Sequence, residues 1–169
     1  MVYDFKGVYF IIMAETGRIR VAKDKADLVK SLTSADGGTG PFQTFADVIV
    51  FAAALGVKYK KRVPLGEISK REPAPIPQEQ FIVRGYDTVI NLLGLIETED
   101  IGILSLHDGN NNEKRNHIFE EYANGGLEVL EIEIRGAVDY SDRILLFLNS
   151  DRFKDDFEGE NYDLRRFRP

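Results

Sequence analysis

The sequence predicts a mainly α protein: a compact helical domain of about five helices, with room for a short N-terminal β-strand or ribbon. Three observations predict it. Phe45–Leu55 is apolar on every face except at Asp47, as a central core helix is. Tyr86–Glu97 is a second strongly apolar stretch of helical length. Ala26, Leu28, Val29 and Leu32 recur at helical spacing after Asp24, an acid suited to a helix N-terminus. With 169 residues, 43% of them apolar, the chain has material for one sound core. The expected organisation is an N-terminal extension over 1–17, a single helical domain over 18–150, and a charged, aromatic-containing tail over 151–169.

Each element follows in order. The opening MVYDFKGVYFII only superficially resembles a signal sequence: Val8–Ile12 is too short for its apolar region, and Asp4 stands where positive charge belongs. Two readings remain for this stretch, a natural start at Met13 or an edge strand over Val8–Met13. Arg18–Ala22 alternates charged and apolar residues and reads as a short strand. Lys23–Leu32 is helical, and Ser34–Gly40 is a glycine-rich loop. Thr44 is a good N-cap, Asp47 three residues later approximates a capping box, and Gly56 fits the residue just past the helix end. Val63–Pro77, with four prolines, is an extended connector. After the Tyr86–Glu97 helix, residues 107–112 (HDGNNN) form a loop. Glu113–Ala123 is a helix that Asn124-Gly125-Gly126 is expected to stop. Leu127–Ile134 fits a strand by its alternation and a helix by the short turns around it; helix is favoured. Asp139 or Ser141 caps a last helix through Leu148, and the remainder reads as a loosely held tail.

Composition narrows function. The absence of cysteine removes disulfides, thiolate nucleophiles and zinc–thiolate sites together. No segment approaches the roughly 18 apolar residues of a membrane span, so no membrane partner is expected. The net charge of −6 is unevenly spread. Residues 57–71 hold Lys58, Lys60, Lys61, Arg62, Lys70 and Arg71 against Glu67 alone, a local net of +5. Residues 97–163 carry 18 acids against six bases. A concentrated basic run on an acidic protein is a placed feature, suited to an anionic partner or to head-to-tail association of copies, a homo-oligomer.

Catalytic chemistry is hard to find. His107 and His117, the two histidines, lie in no nucleophile-elbow context. The loop DGGTG lacks the GxxxxGK[ST] pattern of a phosphate loop. Glu120-Glu121 and Asp155-Asp156 invite a divalent ion, but adjacent helical residues point apart, so solvated faces are the expectation. No cofactor, metal or catalytic residue is assigned. The basic run is different. A helix C-terminus accounts for one or two cations, not four. Lys58, Tyr59, Lys60, Lys61 and Arg62, joined by Arg18 and Arg20 if strand and helix pack together, form the candidate nucleic-acid-binding set: cations for phosphates, Tyr59 for stacking. The competing structural reading is that these cations pair with the acidic half.

The same residues carry a family resemblance. RIRVA (18–22), GPFQTFADVIVFAAALG (40–56), KKRVPL (60–65) and FEEYANGGLEVL (119–130) resemble the Dnd system-associated protein four family, which accompanies bacterial DNA phosphorothioation genes. The resemblance covers about Arg18–Leu148 and favours the start at Met13. It implies a cytoplasmic bacterial or archaeal protein tied to sulfur modification of DNA or to the linked restriction and antiphage defence, with Dnd-system proteins as partners. It transfers no catalytic residue. The expected function is an accessory protein contacting DNA non-catalytically through the basic patch. The alternative is an interaction or regulatory subunit that never touches DNA. A metal-dependent nuclease has the least support.

Overall fold

The computed structural model describes residues 17–34, 37–105 and 109–159, with side chains through residue 150. The elements run β1 (Arg18–Ile19), a 3-10 turn (Lys23–Lys25), α1 (Ala26–Ser31), α2 (Phe45–Lys58), β2 (Ile76–Pro77), α3 (Glu79–Ile82), α4 (Asp87–Thr98), a second 3-10 turn (Ile101–Leu104), α5 (Gly109–Glu133) and α6 (Tyr140–Gly159). The protein is thus mainly α with one short ribbon near its N-terminus, as the sequence predicts. The expectations for residues 1–16, His107 and the final LRRFRP lie outside the described residues. The chain divides into two compact units, Met1–Glu131 and Ile132–Pro169.

In the first unit, β1 and β2 pair antiparallel, Arg18 opposite Pro77 and Ile19 opposite Ile76. The pairing extends along the connector: Ala22 bridges Ile68, and the Ser69 N–H donates to the Val21 carbonyl at 2.9 Å. The prolines bar this segment from helix, and it places part of its backbone hydrogen bonding on the N-terminal strand instead. Ile19 and Val21 of the N-terminal stretch and Ile76 of the segment itself are buried.

α2 begins as expected. Thr44 Oγ1 accepts from the Asp47 N–H, and the Thr44 N–H donates to Asp47 Oδ2 at 2.9 Å, the two halves of a capping box. Asp47 also accepts from the Tyr86 hydroxyl at 2.8 Å and from Arg84 at 3.3 Å, which ties the start of α2 to the start of α4. Burial alone would push the Asp47 carboxyl up, but the Tyr86 and Thr44 hydrogen bonds and the Arg84 charge hold it below the usual range.

The C-terminus of α2 differs from expectation. Gly56 lies inside the helix, which runs on to Lys58. The terminating residue is Lys60, with φ of 50°. Its N–H donates to the Val57 carbonyl at 3.0 Å and the Lys61 N–H to the Gly56 carbonyl at 2.7 Å, the Schellman pair.

α5 departs most from the sequence reading. Residues 109–133 form one helix straight through Asn124-Gly125-Gly126, where a stop was expected. These glycines serve contact rather than termination. A Cβ on Gly126 would fall on the Ala52 carbonyl, one on Gly125 on the Lys61 carbonyl, and one on Gly56 on the Tyr122 carbonyl, each far inside van der Waals contact. α2 and α5 therefore cross with backbone against backbone. Tertiary contact repays the roughly 1 kcal/mol that each helical glycine costs relative to alanine. Phe81 and Phe119 meet edge to face nearby at 5.7 Å, an arrangement worth about 1 kcal/mol beyond burial. Gly94 plays the same part for α4: a Cβ there would stand 2.7 Å from Arg115 Cγ. Arg115 is buried, donates to the Ile103 carbonyl and to Asn112 Oδ1, and so clamps the second 3-10 turn; desolvation pushes its pKa down.

In the second unit, Asp139 Oδ1 accepts from the Ser141 and Asp142 N–H groups and caps α6. The helix continues past Leu148 to Gly159, so the first part of the expected tail is helical. Ile134, Ile144 and Phe147 are buried, whereas Leu145 and Leu146 are exposed.

The crossing yields a direct prediction. Gly126→Ala should destabilise the fold by about 3 kcal/mol or more, since neither backbone can yield without separating the helices. Gly66→Ala, where a Cβ meets nothing within 4 Å, should be neutral or slightly stabilising. Urea denaturation of both variants checks this.

Candidate nucleic-acid interface

The basic residues singled out from the sequence come from two stretches, Arg18 and Arg20 at β1 and Lys58–Arg62 at the end of α2. α5 gathers members of both. Arg20 Nε donates to both oxygens of Glu120 at 3.0 and 2.9 Å, and Nη2 donates to Oε2 at 2.7 Å. The Arg20 backbone N–H adds a bond to Oε1 at 2.6 Å. The Glu120 side chain is wholly buried, while that of Arg20 keeps 46% of its surface exposed. Hydrogen bonding to Glu120 pushes the Arg20 pKa up, so this guanidinium is firmly charged.

Arg62 repeats the arrangement one residue along α5. Its Nε and Nη2 each lie 2.7 Å from Glu121 Oε2, and its Nη1 reaches Glu97 at 2.5 Å. Its guanidinium also stands 5.9 Å from the centre of the Tyr122 ring, whose hydroxyl donates to Glu97. Desolvation opposes the charge of Arg62, but the two carboxylates outweigh it and raise its pKa. Lys61 pairs with Glu128 at 2.8 Å.

Glu120 and Glu121, expected on a solvated face, are therefore buried. Adjacent helical residues do point apart, but here each points at a different arginine. Burial of a carboxylate is tolerable only with such partners.

The remaining candidates stand differently. Arg18 is exposed and donates to the Pro75 carbonyl at 3.1 Å. Lys60 is exposed in its left-handed turn, and Lys58 and Tyr59 are exposed beside it.

Sequence reasoning weighed His117 only as a catalytic residue and did not place it with the basic residues. It sits one turn before Glu121 on α5, its Nε2 3.3 Å from Glu121 Oε1 and its Nδ1 3.5 Å from Arg20 Nη2. It thus links the two arginine pairs into one line. The i, i+4 spacing of His117 and Glu121 was the signal available in the sequence.

A cleft of about 620 Å³ opens nearby, lined by Lys23, Asp24, Val63, Pro64, Glu67 and Glu128 among others. Its acids already face cations: Asp24 meets Lys25, Glu67 meets Lys23 and Glu128 meets Lys61, each at 2.8 to 2.9 Å. Among the described residues no group of three histidines or carboxylates could hold a metal ion, and no helix is long and apolar enough to cross a membrane.

The ion pairs separate two kinds of arginine. Arg20→Ala leaves Glu120 buried and unpaired and should cost about 3 kcal/mol. Arg18→Ala should change stability by less than about 0.5 kcal/mol. Thermal and urea unfolding of the two variants measures the difference.

A family model described as DNA sulphur modification system-associated protein 4 matches residues 18–167. No curated protein and no solved structure matches the chain.

Proposed function

This chain belongs to the DNA sulphur modification system-associated protein 4 family, and from that premise we propose that it is a cytoplasmic accessory protein of such a system that contacts DNA without catalysis. The contact runs through Arg18, Arg20, Lys58, Tyr59, Lys60, Lys61 and Arg62. The observation that carries this reading is the convergence of basic residues about forty positions apart on the neighbouring Glu120 and Glu121 of α5. The paired arginines are not spent by their carboxylates. Glu120 engages Nε and Nη2 of Arg20, so Nη1 still presents two donors for a phosphate oxygen. Lys60 supports the reading in another way. A lysine occupies a left-handed position where glycine is the usual residue, and a role for its side chain would offset the backbone strain. Linked modification, restriction and antiphage defence is the setting in which such an accessory works.

A second reading, an interaction subunit without DNA contact, has its own support. Arg20, Lys61 and Arg62 are matched by acids, and the first unit exposes Val83, Leu92, Ile96 and Ile101.

Fluorescence anisotropy with a labelled DNA duplex distinguishes the two. Binding by the unaltered chain should weaken steeply as salt rises. The double variant Arg18→Glu, Lys60→Glu touches no carboxylate pair and should bind at least about tenfold more weakly with unchanged unfolding temperature. Undiminished affinity in that variant overturns the contact through the basic patch, whereas no affinity for DNA at low salt favours the second reading.

A further inference from the structure

We infer that Arg20 and His117 form one seat for a phosphate oxyanion, and that the seat takes up a proton on His117 as it fills. This rests on the DNA-contact reading above and adds a residue and a linkage to it.

His117 Nδ1 lies 3.5 Å from Arg20 Nη2, which can only donate, so this contact is a hydrogen bond only where Nδ1 carries no proton. Nε2 lies 3.3 Å from Glu121 Oε1. The imidazole is thus wedged between a cation and a carboxylate. The charged groups facing it are Arg20 beside β1, and on its own helix Glu121, with Glu120 behind Arg20. Glu113, one turn back, also acts on Arg20. Arg62 stands on the far side of Glu121.

Protonation of Nδ1 changes the character of the line. Nδ1–H can no longer accept from Arg20, and two exposed donors of like charge then stand side by side. A phosphate oxygen entering between them accepts from both and relieves their repulsion. Glu121 lies between Arg62 on one side and Nε2 on the other. The proton comes from solvent, and no bond other than N–H forms. By linkage, an anion that favours the protonated imidazole is bound more tightly wherever that proton is more available. The side chain of His117 is 53% exposed and that of Arg20 46%, so the seat is open to a polymer backbone.

The test is duplex-DNA anisotropy at fixed ionic strength at pH 7.5 and 6.0. Affinity of the unaltered chain should rise about three- to tenfold on acidification, the ceiling for one proton being tenfold per pH unit. His117→Gln should remove that rise, and His107→Gln should keep it. Equal affinity at both pH values, or a rise that survives in His117→Gln, overturns the seat and leaves the DNA contact standing. Absence of DNA binding at either pH defeats the DNA reading instead. Imidazole NMR with tripolyphosphate then decides the seat. An upward movement of the His117 titration midpoint supports it, and an unmoved midpoint overturns it.

Discussion

The close crossing of α2 and α5 is the constraint on which the rest of the first unit depends. Gly56 on one helix and Gly125 and Gly126 on the other leave no side chain between the backbones. The chain leaving α2 is thereby laid against α5: the Lys61 carbonyl stands over Gly125, and the Val63 N–H donates to the Glu121 carbonyl at 3.0 Å. Arg62 has no choice but to arrive beside Glu121. Asn124, also in α5, holds the Val63 and Pro64 carbonyls through its Nδ2 and extends the same seam. A bulkier crossing would move the basic segment away from the acids that organise it.

The acids then divide the work. Residues 120 and 121 are about 100° apart around the helix, so one carboxylate faces Arg20 and the next faces Arg62. Arginine suits both positions because it stays charged when partly buried and offers a planar fork that can bind a carboxylate on one edge and leave the other edge outward. The arrangement costs net positive charge. A basic run of +5 in the sequence becomes, in the fold, a surface whose arginines are partly neutralised. Such a surface would hold a polyanion weakly and reversibly, in keeping with a chain of net charge −6.

Much of the fold was legible where local chemistry decides structure. The Thr44/Asp47 pair marked the start of α2, and the prolines of 63–77 marked a non-helical connector, because capping bonds and missing N–H groups act within a few residues. Glycine was misread for a physical reason. Gly56 and Gly125-Gly126 have the same local meaning whether they end a helix or admit a neighbour, and only the neighbour decides. The candidate site was legible as charge and not as pairing. Lys58–Arg62 and Arg18/Arg20 stand out in any charge count, but which acid meets which base depends on a helix crossing more than fifty residues downstream. Glu120 and Glu121 were assigned to solvated faces because adjacent helical residues point apart, and the partner that each finds lies 100 and 59 residues away.

The claim that buried carboxylates of α5 draw the two basic segments together is tested most directly by a double-mutant cycle on Arg20 and Glu120. Unfolding free energies of the unaltered chain, Arg20→Ala, Glu120→Ala and the double variant give the coupling. The expected value is favourable by about 2 kcal/mol or more, because removing either partner alone strands the other. A coupling below about 0.5 kcal/mol, the level at which independent sites add, would contradict it.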